Sequence, residues 1–293
     1  MKKNIALIAF LSLVAFGFAQ ENMPFTNVFK SKIGTTDRGA FTKTGNNIKK
    51  GLQVEIGLDY EWADSYNTVF KTDVFSPFEG KIRLGLNKYI EVDFAISHRK
   101  IHLKPWDDNG SFPEKSYSYW TPLEIGLRTQ FIDSKQKSKT DASLYLALSV
   151  NNTMRSAYRE DGTFRPDVLI DRPSYVTPEI ALFVNHNLGE RVVLGYNAGI
   201  RWTGIEIDGP ESAKNPNFVY TLRILAHVSE KMDLYGEHFN SIRVSHSPSL
   251  GMNIGARYGV SQKLTIDLNG GVGLNTSSPD GFAGLGLSYK LGK

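Results

Sequence analysis

Two groups of residues in the sequence have side chains that can do chemistry. His98 and His102 lie four positions apart and would share one face of a strand. Two imidazoles without a third ligand fall short of a zinc site. His246 lies between Ser245 and Ser247, but a serine hydrolase needs a Ser–His–acid geometry that this spacing does not provide. The polarity of a loop explains these residues more simply, so we expect no enzyme activity, no metal and no cofactor.

A larger set of ionisable residues recurs at alternate positions within several segments. Alternate residues of a strand point to the same side, so these charges would share one polar face. The early segments carry most of the acids and the later ones most of the arginines. The candidates are Glu55, Asp59, Glu61, Arg83, Glu91, Asp93, Glu124, Arg128, Glu179, Arg201, Arg223, Arg257 and Asp267.

The elements that must position these charges are strands with one apolar face. In residues 51–62 every second residue is apolar, from Leu52 to Tyr60 and Trp62. An apolar face that ends in aromatic residues, opposite a charged face, suits a wall between lipid and water. Related segments recur to the C-terminus, and helical periodicity is nearly absent. We count about twelve strands, which predicts an all-β, antiparallel transmembrane β-barrel over residues 51–293. A soluble two-sheet sandwich is the alternative.

The first twenty residues predict an export signal. Lys2 and Lys3 precede an apolar run from Ile5 to Phe16, and Gly17-Phe18-Ala19 provides a cleavage site. The run is shorter than the roughly 20 residues of a membrane helix. The chain contains no cysteine, so disulfides and thiolate metal sites are excluded. Loss of the two lysines lowers the formal charge from +4 to +2, too little to indicate nucleic acid as a partner.

The connections between the predicted strands alternate in length. Short turns fall near residues 87, 188, 230 and 260, with a longer Lys-rich one at 132–140. The opposite set is longer, near 63–70, 103–117, 154–173, 204–215, 237–247 and 275–279. Long outer loops and short periplasmic turns are the usual asymmetry, so we expect both ends of the barrel in the periplasm. Trp62, Trp106, Trp120 and Trp202 would then lie in the outer aromatic girdle.

The lumen of such a barrel would be lined by the thirteen charged candidates. Two interpretations remain: acidic and basic walls facing each other across an open lumen, or salt bridges that fill a narrow one. Inward-facing glycines would permit strand bending or leave room for a solute: Gly85, Gly126, Gly195, Gly199, Gly251, Gly255, Gly271, Gly273 and Gly286. Residues 21–50 would form either a lumen plug or a periplasmic tail.

Several short motifs support a family resemblance. They are Thr36 to Gly39, Leu52 to Tyr60, Arg83 to Val92, Leu194 to Gly199, Leu264 to Asn275 and Gly284 to Tyr289. Together they resemble the outer-membrane family named for the MetA pathway of phenol degradation, over nearly the whole mature chain. The resemblance implies a barrel of a family labelled as transporters and implies no catalysis. Gly39 departs from the family's Asp-Arg-Pro box, and Leu291 to Lys293 follow Tyr289 where such barrels end on an aromatic residue.

These observations predict an outer-membrane channel for facilitated diffusion of small solutes, including hydrophobic or aromatic ones. The expected partners are outer-membrane lipid, the solute and, during biogenesis, the barrel-assembly machinery. The alternative is a barrel that does not transport, either a structural or assembly component or a membrane-embedded lipid-modifying enzyme.

Overall fold

The computed structural model describes residues 51–63, 70–87, 89–105, 114–121, 123–132, 139–151, 175–202, 205–206, 216–243, 248–275 and 278–291. Their strands are β1 (Gly51–Ala63), β2 (Phe70–Gly85), β3 (Ile90–Pro105), β4 (Lys115–Trp120), β5 (Leu123–Ile132), β6 (Thr140–Asn151), β7 (Tyr175–Asn187), β8 (Val192–Trp202), β9 (Ile205–Glu206), β10 (Pro216–His227), β11 (Met232–Arg243), β12 (Ser249–Gly259), β13 (Leu264–Gly273) and β14 (Gly281–Leu291). Within these ranges no helix is long and apolar enough to cross a membrane. The predicted signal peptide, the segment 21–50, Trp106 and His246 lie outside them.

All strands of the described residues belong to one antiparallel sheet that closes on itself. Successive strands pair along the chain, except that β4 does not pair with β5 and β8 pairs with β10, while the two-residue β9 pairs with β7. The sheet closes because β1 pairs with both β2 and β14. Both β4 and β5 pair with β3. Because β5 pairs with its residues 90–95 and β4 with its residues 98–103, the two strands share one position in the wall. Thr121 bridges them, since its backbone N–H donates to the Ser97 carbonyl over 2.7 Å. With the two-residue β9 set aside, the wall has twelve positions.

The prediction of a twelve-stranded antiparallel barrel is confirmed, and the sandwich is ruled out because one closed sheet contains every strand of the described residues. Several boundaries were wrong. The predicted strands at 82–86, 90–96 and 232–237 extend over Phe70–Gly85, Ile90–Pro105 and Met232–Arg243. The region 103–117, predicted as a loop, contains the end of β3 and the start of β4. In the β3 extension the outward residues are His98, Lys100, His102 and Lys104, so the apolar alternation by which this strand was recognised stops before the strand does.

Side chains alternate between a buried inner face and an exposed outer face. In β5, Leu123, Ile125 and Leu127 are exposed, whereas Glu124 and Arg128 between them are buried. The exposed apolar side chains include Ile56, Leu58, Ile82, Leu84, Phe94, Ile96, Leu146, Leu148, Ile180, Leu182, Leu222, Ile224, Ile254, Leu268, Leu285 and Leu287. A continuous exposed apolar surface around a closed barrel is what contact with lipid requires.

The strands are tilted relative to the barrel axis. A row of paired residues that begins at Leu52, at the short-turn end of β1, reaches Ile242, at the long-loop end of β11. Residues paired in register therefore lie progressively closer to the long loops from β1 to the later strands. Strands of a closed barrel must be staggered in this way. Trp62 and Trp202 both lie at this long-loop end.

Candidate functional site: the inner face of the barrel

The thirteen charged candidates all point into the barrel. Each is at most 9% exposed, and its neighbours on the same strand face outward. The strands place them there because the apolar residues between them occupy the outer face. The alternation of side chains along each strand alone sets this location. That they line a route for solute stays a prediction.

Arg83 organises the polar contacts of the first three strands. Its Nε and Nη2 donate to Oε1 of Glu91 over 2.9 and 2.7 Å, and its Nη1 donates to Oε1 of Glu55 over 3.4 Å. Gln53 donates its side-chain N–H to the same Glu55 oxygen over 2.6 Å. One guanidinium thus joins β1 and β3 across β2, in a site where all four side chains are buried.

A second group of acids is held by Tyr145 on β6. Its hydroxyl lies 3.2 Å from Oδ1 of Asp93 and 3.2 Å from Oε1 of Glu124, and its single proton can serve one of them at a time. Ser149 donates to the other oxygen of Glu124 over 3.0 Å, and Lys81 lies 3.6 Å from Asp93. These contacts extend the polar lining from β2 to β6.

The later strands carry separate arginine–carboxylate pairs. The guanidinium of Arg201 on β8 binds Glu179 on β7, with an Nε–Oε2 distance of 2.7 Å. Arg257 binds Asp233 through Nε and Nη2 over 3.2 and 2.5 Å. Nη1 of Arg223 lies 3.4 Å from Oε1 of its neighbour Glu237.

The acids and arginines therefore pair between adjacent strands. The sequence left open whether acids and arginines face each other across the lumen or form salt bridges, and the pairs described above fit the second interpretation. Glu237 and Asp233, which the sequence reasoning missed, neutralise arginines in the later half. Their strand, β11, carries Gly236 and His238 at positions where the alternation requires apolar residues, so its inward-facing residues could not be identified from the sequence.

Aromatic rings are the other inward residues that the sequence analysis missed. Tyr145, Phe183, Phe239 and Phe282 are buried on the inner face, and Tyr235 shares that face as the register partner of Gly255. The sequence did contain a signal for them. Each ring occupies one of the alternate positions that otherwise carry polar residues, as Phe183 does between Leu182 and Val184. These rings make the lining both charged and aromatic.

The rings lie over inward glycines of neighbouring strands. Phe239 is paired in register with Gly251, and a Cβ added to that glycine would overlap the ring. Tyr235 covers Gly255 in the same way, and Phe282 covers Gly271. The inward glycines were predicted to permit bending or leave room for a solute. At these three positions they instead let an aromatic ring lie flat against the wall, which stabilises strand pairing.

Two arginines also contact rings. The guanidinium carbon of Arg128 lies 4.7 Å from the centre of the Phe183 ring and 5.7 Å from that of Tyr145. These two rings meet edge to face at 5.6 Å. Arg223 similarly lies 4.5 Å from the Tyr235 ring. Such distances are those of cation–π contacts, so each arginine is held over an aromatic face.

The histidine pair does not belong to this inner face. His98 and His102 share the outward side of β3, where His98 contacts Ser118 at 3.0 Å and the Trp120 ring at 5.0 Å. In the part of the chain that the structure describes, no group of three or more His, Asp or Glu side chains is placed to hold a metal ion.

Solved structures share this fold. The COG4313 outer membrane channel from Pseudomonas putida F1 superimposes with a TM-score of 0.60 at 11% identity, over 84% of this chain and 98% of that one. The transport unit of the autotransporter AIDA-I from Escherichia coli gives a TM-score of 0.53 at 11% identity, over 83% and 91%. The chain thus has the fold of outer-membrane β-barrels. Among proteins with curated descriptions, none matches the sequence.

The model of one protein family matches residues 172–291, the part that contains β7 to β14. The family is described as "Putative MetA-pathway of phenol degradation". The resemblance predicted from the sequence is confirmed over this range, which includes the motifs at 194–199, 264–275 and 284–289.

Proposed function

We propose that this protein is an outer-membrane channel through which small solutes, including hydrophobic and aromatic ones, diffuse down their gradients. The observation that carries the proposal is the closed barrel with an apolar outer surface and an inner face that combines charged and aromatic side chains. A closed barrel has no free sheet edge, so it is stable in lipid while its interior stays polar. The name of the Pseudomonas barrel, an outer membrane channel, supports the same assignment.

The lining suggests which solutes are favoured. Rings such as Phe183 and Tyr235 make the lining partly aromatic, which favours solutes that gain from apolar contact. The neighbouring Arg128 and Arg223 supply donors for a hydroxyl or carboxylate group on the same solute. A planar molecule with one polar group uses both kinds of contact, whereas a large, highly hydrated solute uses neither well.

The buried ion pairs favour a second candidate, a barrel that does not conduct. Arg83, Glu55 and Glu91 pack against one another with almost no exposure, as side chains do when they fill a lumen. In the channel proposal, solute passes beside this cluster, along the part of the inner face that carries Arg128, Phe183, Arg223 and Tyr235. The two candidates differ in one measurable property, which is conductance.

The proposed orientation has the long connections outside the cell and both ends of the barrel in the periplasm. The short turns at 188–191 and 260–263 would then be periplasmic. An epitope tag inserted within residues 152–174 should be labelled by antibody on intact cells, and the same tag at 188–191 should be labelled only after permeabilisation. The reverse labelling would contradict this orientation.

Purified protein in planar bilayers and liposomes tests the channel. We expect discrete conductance steps and faster swelling of liposomes in an aromatic alcohol than in a disaccharide. Vesicles without protein, and vesicles with heat-denatured protein, are the controls. A barrel that is folded by gel mobility and circular dichroism, yet gives no conductance and no swelling above these controls, would favour the non-transporting candidate.

A further inference from the structure

The outward face of β3 changes character abruptly along the strand. Its first outward residues are apolar, namely Ile90, Val92, Phe94 and Ile96. The next four are basic or ionisable to a cation, namely His98, Lys100, His102 and Lys104. The strand therefore leaves the lipid-facing band and continues as a strip of nitrogen-bearing side chains that still points away from the barrel.

This strip lies at the long-loop end of the apolar band. Lys100 is in register with Phe75 and, through it, with Tyr60 of β1. His102 is linked in the same way to Trp62, the last aromatic residue of β1. Rows rise from β1 toward β3, so the strip lies level with these aromatic residues or beyond them. Lipid headgroups occupy that level of a bilayer.

A groove of about 380 Å³ opens on this outer surface. Tyr60 and Phe75 contribute aromatic walls, Lys100 and His102 contribute nitrogen atoms, and Ser116 and Ser118 of β4 contribute hydroxyls. The 16-residue strands β2 and β3, together with β4, form this projecting part of the sheet. A groove that combines nitrogen and hydroxyl donors with aromatic walls, on the surface that faces lipid, suits an amphipathic ligand.

The charges around the groove leave one cation available for such a ligand. Asp73 accepts a hydrogen bond from the Tyr60 hydroxyl over 3.0 Å and pairs with Lys104 at 3.3 Å. His102 lies 3.2 Å from Glu114. Lys100 is exposed, and among the described residues it has no carboxylate partner. Lys104 and Tyr60 thus bind the groove's carboxylate, Asp73, and the groove offers Lys100 and the Ser116 hydroxyl outward, while the Ser118 hydroxyl also contacts His98 at 3.0 Å.

We propose that this groove binds the phosphorylated headgroup of an outer-leaflet lipid. Lys100, assisted by Lys104 and the hydroxyls of Ser116 and Ser118, contacts the phosphate, and the acyl chains follow the apolar face below. Lysine is a suitable point charge for phosphate, and basic pockets beside the apolar band of membrane proteins bind lipid headgroups. A lipid fits better than a free anion because the groove faces away from the lumen and joins the lipid-facing surface. The inference rests on the proposed orientation and is independent of solute transport.

The test measures lipid binding by the folded barrel in detergent with native mass spectrometry. The probes are diphosphoryl lipid A, its dephosphorylated form, phosphatidylglycerol and inorganic phosphate. Wild-type protein should retain diphosphoryl lipid A in preference to the other three. The double variant Lys100→Gln/Lys104→Gln should bind it at least about tenfold more weakly, since each cation near a lipid phosphate contributes severalfold in affinity.

Matched controls make the result decisive. Lys231→Gln/Lys263→Gln removes two exposed lysines at the short-turn end and should leave lipid binding unchanged. Lys100→Gln alone keeps the Lys104–Asp73 pair and should show a smaller loss. Equal binding by wild type and the Lys100/Lys104 variant, equal loss in the control variant, or tighter binding of phosphatidylglycerol would each overturn the proposal. Conductance of the same proteins separates this outcome from that of the channel, because lipid binding does not depend on an open lumen.

Discussion

Arg83 on β2 donates two hydrogen bonds to a single carboxylate oxygen of Glu91 on β3, over 2.9 and 2.7 Å. Both side chains are buried on the inner face. A buried ion pair is costly to assemble, and removal of one partner is costlier still because the other charge stays desolvated. Substitution of either partner is therefore expected to lower the stability of the barrel.

Arg83→Ala should lower the free energy of unfolding by about 3–5 kcal/mol, because it leaves Glu91 and Glu55 buried without their cation. Guanidinium-induced unfolding in lipid micelles, followed by tryptophan fluorescence, measures the loss. The triple variant Arg83→Met/Glu55→Gln/Glu91→Gln removes all three charges and should recover most of it. A single variant as stable as wild type would mean that water already solvates these carboxylates.

The contact between Phe239 and Gly251 predicts a second, local effect. Gly251→Ala should destabilise the barrel by about 1–3 kcal/mol, because the added methyl group overlaps the ring and forces it off the wall. In a Phe239→Leu background the penalty should fall, which a double-mutant cycle measures. Gly236→Ala on the neighbouring strand is the control, since its Cβ would meet only the Asn253 carbonyl oxygen at 3.9 Å. An equal cost at both glycines would attribute the effect to backbone entropy instead of the ring.

The strands could be predicted from the sequence because their outer face obeys a single physical rule. Contact with lipid imposes strict alternation, so the phase of residues such as Leu127 and Arg128 could be predicted, and with it the strand count. The inner face is under no such rule, because a polar, an aromatic or a glycine residue satisfies it equally. Tyr235 and Phe239 were therefore not recognised. The pairing of Arg257 with Asp233 depends on strand register, which residue composition does not encode.

The apolar outer face predicts how a misplaced charge behaves. Ile254 lies in the middle of β12 and is 74% exposed. Ile254→Arg should cost about 2–4 kcal/mol, because the charge lies near the bilayer midplane. Val260→Arg, in the adjoining turn, should cost about 0–1 kcal/mol. Reversible unfolding in phospholipid vesicles measures both, and an equal cost at the two sites would contradict lipid contact at Ile254.

Phe183 and Leu182 are adjacent on β7 but face opposite sides of the wall. Phe183 is buried inside with its ring 4.7 Å from the guanidinium carbon of Arg128, and Leu182 is 42% exposed outside. Phe183→Ala removes ring volume from the lumen and should increase single-channel conductance while lowering the preference for aromatic over aliphatic alcohols in liposome swelling. Leu182→Ala removes a side chain only from the lipid side and should change neither property. If the two variants behave alike in a folded barrel, the solute path does not pass this ring.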